Sequence, residues 1–280
     1  MDAPSAIDED ALVGAALRSE RRFVLALGGF ALEIPGGTLV THEKIPSPRF
    51  NFVAVGAVAP DRQAAFFERA LDHYFQRALR PRFRVPAPAP DHVDRGLRRF
   101  SFEPTGAPLV LLVDDGHPTG PPDPAYEVRP ADDDVDLVAS FWTEPSERPE
   151  LRAAIDVAVH HPTPGESLRP YVARARGAPV SAALVFRAGT AAGIHLVTTR
   201  AEARGRGAAT ALVDGARAAL RPEGPARASI VTEVPRIAEH LATIGLSPRA
   251  TFVEYALPPA AELDLPPPGP AGPARWRPPR

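Results

Sequence analysis

Residues 193–209 read GIHLVTTRAEARGRGAA, an apolar, β-branched run that passes through a basic glycine loop into an alanine-rich segment. Ile194, Val197, Thr198 and Thr199 favour a strand. From Ala208 to Leu220 the residues Leu212, Val213, Ala216, Ala219 and Leu220 fall on one side of a helix. A strand, glycine loop and helix joined in this way present unpaired N–H groups at a helix N-terminus. The helix dipole favours negative charge there, and glycine lets the backbone come close to a ligand. Arg204 and Arg206 add cationic donors. The junction therefore predicts a phosphate-binding loop on Arg204, Gly205, Arg206, Gly207, Ala208 and Ala209.

Around this junction the pattern is of mixed α and β type. Before it, strands are expected at residues 126–129, 171–175, 180–187 and 192–198, the last three forming an antiparallel meander with turns at Gly177-Ala178-Pro179 and Ala188-Gly189-Thr190. The group Asp132-Asp133-Asp134 opens a helix over Val135, Leu137, Val138, Phe141 and Trp142, because acidic residues complement the dipole of a first turn. A second helix is expected over residues 150–159. After the junction come a strand at 228–232, a helix at 235–244 and a last strand at 251–257.

The first half reads as a second, shorter α/β arrangement. Residues 22–27 and 30–34 flank Gly28-Gly29 as a hairpin, and residues 50–58 continue the sheet. Phe66, Phe67, Ala70, Leu71, Tyr74 and Ala78 repeat at helical spacing within 62–79, which reads as the buried face of a helix. A strand at 82–85, a helix at 91–99 and a closing strand at 108–113 follow. The Pro/Gly cluster at 117–124 is the expected linker, giving an N-terminal domain at 1–116 and a C-terminal one at 125–257. The tail at 258–280 is dense in Pro and Gly and reads as disordered.

Composition narrows the function. With 280 residues, 44% hydrophobic and 24% charged, two globular domains are expected. No apolar run is long enough for a membrane span, and the start, MDAPSAIDEDALVG, is acidic where a signal peptide is basic, so a cytoplasmic location is the expectation. The absence of cysteine excludes disulfides, thiolate metal sites and a cysteine nucleophile. The net charge is -2, and arginine is spread along the chain without an aromatic-lined basic stripe, so no nucleic-acid footprint is visible. His160-His161 has no further ligands at metal spacing, and no metal site is expected.

The loop Arg204-Gly205-Arg206-Gly207-Ala208-Ala209 resembles the Gln/Arg-x-x-Gly-x-Gly/Ala pattern of the GNAT superfamily of N-acetyltransferases. The resemblance covers residues 126–257, where Ile244-Gly245-Leu246 is similar to the family's Leu-Gly-Phe ending. It implies acetyl-CoA as cosubstrate, a primary amine of a small molecule or peptide as acceptor, and the diphosphate on residues 204–209. It also implies backbone pairing of Val197, Thr198 and Thr199 with the pantetheine arm. Two departures stand out: Val234 occupies the place of a frequent asparagine, and Leu241 that of the tyrosine that protonates the leaving thiolate. A catalytically silent acyl-CoA-binding module is therefore the alternative. The first half resembles a degenerate GNAT domain in which Ala59-Pro60-Asp61-Arg62-Gln63 replaces the glycine loop; its expected role is to complete an acceptor cleft or a dimer contact.

For the general base, two residues are candidates. His195 alternates with Ile194 and Leu196, so its side chain leaves the opposite face of the strand, toward an expected cleft. Glu233 stands where the next strand ends. Nothing in the acceptor loops names the substrate.

Overall fold

The computed structural model describes residues 9–116, 123–189, 191–221 and 227–258. Most of the expected linker and nearly all of the Pro-rich tail lie outside them. The described chain is of mixed α and β type, with a largely antiparallel set of strands and one parallel pair in each of two units. In chain order the elements begin with helix α1 (Glu9–Ala26), strands β1 (Phe30–Ile34), β2 (Gly37–Thr41) and β3 (Phe52–Val55), helix α2 (Gln63–Phe75), strand β4 (Arg82–Pro86) and helix α3 (Asp91–Arg99). Strands β5 (Glu103–Pro104), β6 (Leu109–Asp114) and β7 (Glu127–Pro130) follow, then helices α4 (Val135–Ser140) and α5 (Arg148–His160). The chain continues through β8 (Glu166–Ala175), β9 (Ala178–Ala188), β10 (Ala191–Thr199), α6 (Ala208–Leu220), β11 (Arg227–Thr232), α7 (Pro235–Thr243) and β12 (Leu246–Ala256).

The two units are not the two halves of the sequence. One comprises Met1–Gly28 with Val110–Arg249, the other Gly29–Leu109 with Ala250–Arg280. Each unit thus takes an element from the other half, where contiguous domains at 1–116 and 125–257 were expected. The expected closing strand of the first half, β6, pairs antiparallel with β11, matching Ser229 to Val113 and Thr232 to Val110. Conversely, the second part of β12 pairs antiparallel with β4 through Phe252–Pro86 to Tyr255–Phe83. The physical reason is the same in both places. Strands β11 and β4 each have a parallel neighbour on one side and would otherwise leave their other edge of N–H and C=O groups without partners.

Strands β1 and β2 form a hairpin, but not the expected one. Residues 22–27 are the end of α1, and the turn lies at Pro35-Gly36, where Gly36 has a φ of 103° that suits glycine. The run Phe23-Val24-Leu25-Ala26-Leu27 has strand-like composition. Its burial, however, follows Ala16, Ser19, Phe23, Val24 and Leu27, the three-to-four spacing of a helix face. In the second unit, the expected α2 stripe of Phe66, Phe67, Ala70, Leu71 and Tyr74 is buried against Val53, Phe83 and Val85.

In the unit that carries the glycine loop the strands run in the order β7-β8-β9-β10-β11-β6, with the start of β12 beside β6. Helix α6 covers one face, where Leu212, Val213 and Ala216 meet Tyr171, Val185 and Ile194. On the other face, Phe23 of α1 meets Phe186 of β9 edge-on at 6.4 Å. Asp134 caps α4 by accepting the Leu137 N–H at 3.1 Å, as its acidic first turn predicts. Among the described residues no helix is long and apolar enough to cross a membrane.

A chain cut to residues 125–257 lacks both α1 and β6. It is expected to lose the cooperative thermal transition of the full chain, and a sharp melt of the fragment, followed by circular dichroism, would show the exchanged elements to be dispensable. In the full chain Phe23→Ala is expected to cost about 3–5 kcal/mol in urea unfolding, since it empties a large buried aromatic site.

Candidate functional site

The site begins where two strands part. Strands β10 and β11 run parallel and pair only over Ala191–Arg227, Ala192–Ala228 and Gly193–Ser229. Beyond Gly193, β10 continues along β9 and β11 continues along β6, so the two inner edges no longer face a strand partner among the described residues. Strand β10 is also bulged between His195 and Thr198: Leu196 takes a φ of 54°, and neither Leu196 nor Val197 has a register partner on β9. The result is a forked sheet whose β10 arm runs through Val197, Thr198 and Thr199, all half-buried, with the Thr198 carbonyl accepting from the Ser181 hydroxyl at 2.9 Å.

At the end of that arm lies the glycine loop. Gly205 and Gly207 have φ values of 70° and 88°, a region that β-carbons disfavour, and nothing lies within 4 Å of a Cβ built at Gly205. The Arg204 N–H bonds the Ala201 carbonyl at 3.3 Å, and the next backbone bond of the stretch is from the Ala211 N–H to the Gly207 carbonyl at 2.9 Å. Between them, among the described residues, no backbone carbonyl accepts from the N–H groups of residues 205–210. These are the orphan donors of a helix start, extended by two glycine-permitted loop residues. Arg204, Gly205, Arg206 and Gly207 are exposed, Ala208 is buried and Ala209 is half-buried.

Neighbouring side chains hold this loop open. The Tyr126 hydroxyl donates to the Arg206 carbonyl, and a Tyr126 ring carbon lies 3.9 Å from a Cβ built at Gly207. Arg204 donates through Nε to the Thr199 carbonyl at 3.2 Å, tying the loop to the end of β10. Behind it, Arg217 of α6 is fully buried. Its guanidinium donates to Asp114 Oδ1 at 2.7 Å, to Asp214 Oδ1 at 3.1 Å and to the Ile244 carbonyl, joining α6 to β6 and to the turn before β12. Burial raises the Asp214 carboxyl above its ordinary range, against the pull of Arg217.

His195 leaves β10 opposite Ile194, as alternation predicts, yet it does not meet an open cleft. Its imidazole is buried and stacked on the Phe23 ring of α1, with centroids 4.0 Å apart and planes within 3°. Its Nδ1 lies 3.2 Å from Glu20 Oε1. Glu233, the other candidate, is exposed just beyond β11 on the second arm of the fork. Val234 is the exposed N-cap of α7, whereas Leu241 is 5% exposed and sits in the core under α6. Sequence reasoning missed Tyr126, Glu20 and the hydrogen bond of 2.6 Å between Thr210 of α6 and His240 of α7. Only the Gly193-x-His195 spacing hinted at the first-strand arrangement: a Cβ at Gly193 would strike His195 Nε2 at 2.2 Å.

In the second unit, the corresponding stretch is closed. Ala59 is followed by a turn of 3-10 helix at Pro60–Arg62, in which the Arg62 N–H bonds the Ala59 carbonyl at 3.0 Å and Pro60 has no N–H to give.

A forked sheet with a parallel pair, a bulged strand and a glycine loop opening a helix frames the candidate site. Residues 126–232 match the family described as "Acetyltransferase (GNAT) domain", which supports acyl transfer as the class of chemistry. No curated protein matches the chain at a significant level. Among solved structures, a GCN5-related N-acetyltransferase from Kribbella flavida is similar at 13% identity and a TM-score of 0.61, over 91% of this chain and 97% of that one. A tandem GNAT protein from the clavulanic acid biosynthesis pathway is similar at 15% and 0.54, over 90% and 96%. A GCN5-related N-acetyltransferase from Sphaerobacter thermophilus is similar at 15% and 0.56, over 90% and 93%. At these identities the likeness is one of fold.

Arg217→Ala is expected to destabilise the chain by about 3–5 kcal/mol, because it leaves Asp114 buried and unpaired. Urea unfolding checks this, and a loss under 1 kcal/mol would mean that the ion pair does not fasten α6.

Proposed function

We propose that this chain transfers an acetyl group from acetyl-CoA to a primary amine. The observation that carries the reading is the row of N–H groups at residues 205–210 that no backbone carbonyl takes, set in an exposed loop beside the strand fork. A diphosphate supplies the acceptors that such a row needs, with Arg204 and Arg206 as counter-charges. Val197, Thr198 and Thr199 would then pair with the pantetheine amides along the β10 arm, bringing the thioester to the mouth of the fork. Binding both partners there makes the attack effectively intramolecular. The amine nitrogen forms a bond to the thioester carbon, the carbon–sulfur bond breaks, and the amine proton passes to a base, for which His195 and Glu233 are the candidates.

One observation favours a second reading, an acyl-CoA-binding module without turnover. Leu241 stands where relatives carry a proton donor for the thiolate, and it is packed into the core with no proton to give. Thiol release measured with a panel of amines separates the two: tight acetyl-CoA binding without amine-stimulated release rejects the enzyme reading.

Titration calorimetry is expected to show acetyl-CoA binding to the intact chain. Gly207→Glu is expected to abolish it, since a carboxylate at a φ of 88° both strains the loop and occupies the place of a phosphate. Unchanged affinity in that variant would remove the diphosphate from this loop.

A further inference from the structure

Helix α1 places two side chains on His195. Glu20 Oε1 lies 3.2 Å from Nδ1, and the Phe23 ring stacks on the imidazole at 4.0 Å. The remaining ring nitrogen, Nε2, is buried and has no protein partner, and the same holds for the hydroxyl of Ser19, one residue before Glu20. Both atoms crowd the α-carbon of Gly193: a Cβ built there would lie 2.2 Å from His195 Nε2 and 2.6 Å from Ser19 Oγ, so only glycine fits. Gly193 is the last residue of β10 paired with β11, so both atoms stand beside the vertex of the fork.

A carboxylate beside Nδ1 accepts an N–H there, which leaves Nε2 as the lone-pair nitrogen of a neutral imidazole. A ring stacked between Phe23 and its strand cannot turn to exchange the two nitrogens. Buried polar atoms without partners are costly, and those that persist commonly serve a ligand, a water or a proton.

We propose that α1 completes the catalytic apparatus of the unit, with Glu20 as the positioning residue that fixes the tautomer of His195 and Nε2 as the proton acceptor. This rests on the acetyl-transfer reading above. The proton given up by the attacking amine travels to Nε2 by way of the Ser19 hydroxyl, which turns toward the ring during the transfer and takes one proton as it passes its own on. The imidazolium formed is held by the Glu20 carboxylate, and returning that proton through the same relay to the departing thiolate closes the balance. A proton donor at Leu241 is then not required. His195 and its two partners come from opposite halves of the sequence, which the exchange of α1 brings into one unit.

The test uses the full chain labelled with 15N at histidine. Long-range nitrogen–proton spectra are expected to show the His195 proton on Nδ1, and Glu20→Ala is expected to give a mixture of tautomers. In the amine assay His195→Ala is expected to lower kcat by about 100-fold or more, the range of general base catalysis. Glu20→Ala and Ser19→Ala should lower kcat by smaller factors, with the KM and the calorimetric affinity for acetyl-CoA unchanged. A helix that merely packs would instead change the melting temperature and leave kcat and the tautomer alone. A proton found on Nε2, or wild-type kcat in folded His195→Ala and Glu20→Ala chains, would overturn the proposal. Failure of the intact chain to bind acetyl-CoA would sink the acetyl-transfer reading and its relay, while the nitrogen spectra still decide whether Glu20 fixes the ring.

Discussion

A strand in the middle of a sheet needs a neighbour on both sides, and that constraint organises this chain. In each unit one parallel pair of strands needs a further neighbour, and in each the neighbour comes from the other half of the sequence: β6 for β11, the end of β12 for β4. The exchange is fastened by charge as well as by backbone pairing. Asp114 at the end of β6 receives Arg217 from α6, and its carbonyl receives Arg227 from the start of β11. An ion pair this deeply buried contributes less to stability than to register, because only one alignment of β6 satisfies both charges.

The same requirement, relaxed at one place, makes the site. Strands β10 and β11 stop pairing after Gly193, and the bulge at Leu196 turns the β10 arm away from a simple ladder. What a sheet would ordinarily satisfy by strand pairing has no strand partner here, first along the fork and then at the glycine loop. Tyr126 and Arg204 hold that loop by its carbonyl side and by the preceding strand, which keeps its N–H groups pointing outward.

Local pattern carried much of this. The meander, α3, α6, α7 and the acidic cap of α4 were legible because turn residues, helix period and capping chemistry agree at those positions. The glycine loop was legible because positive φ demands glycine at 205 and 207. The helical nature of residues 22–27 was not, since an aromatic and β-branched run has strand composition and only the longer spacing from Ala16 to Leu27 betrays the helix. The exchange of elements between units was also hidden: nothing local to residues 109–114 says which sheet they will join, because that is decided by distant edges. For the same reason His195 was legible as a side chain leaving one face, whereas its cover by Glu20 and Phe23 was not.

The placement of α1 has a consequence for how the molecule comes into being. As the ribosome delivers the chain, this helix emerges long before the strands on which it rests, and its apolar side from Ala16 to Leu27 must stay shielded or be held by a chaperone until β9 and β10 exist. The other unit faces the reverse wait, since the strand that pairs with both β4 and β5 is the last described element of all. Neither unit can finish before its late strands are made, so a message truncated ahead of β11 leaves both units incomplete instead of yielding one working half.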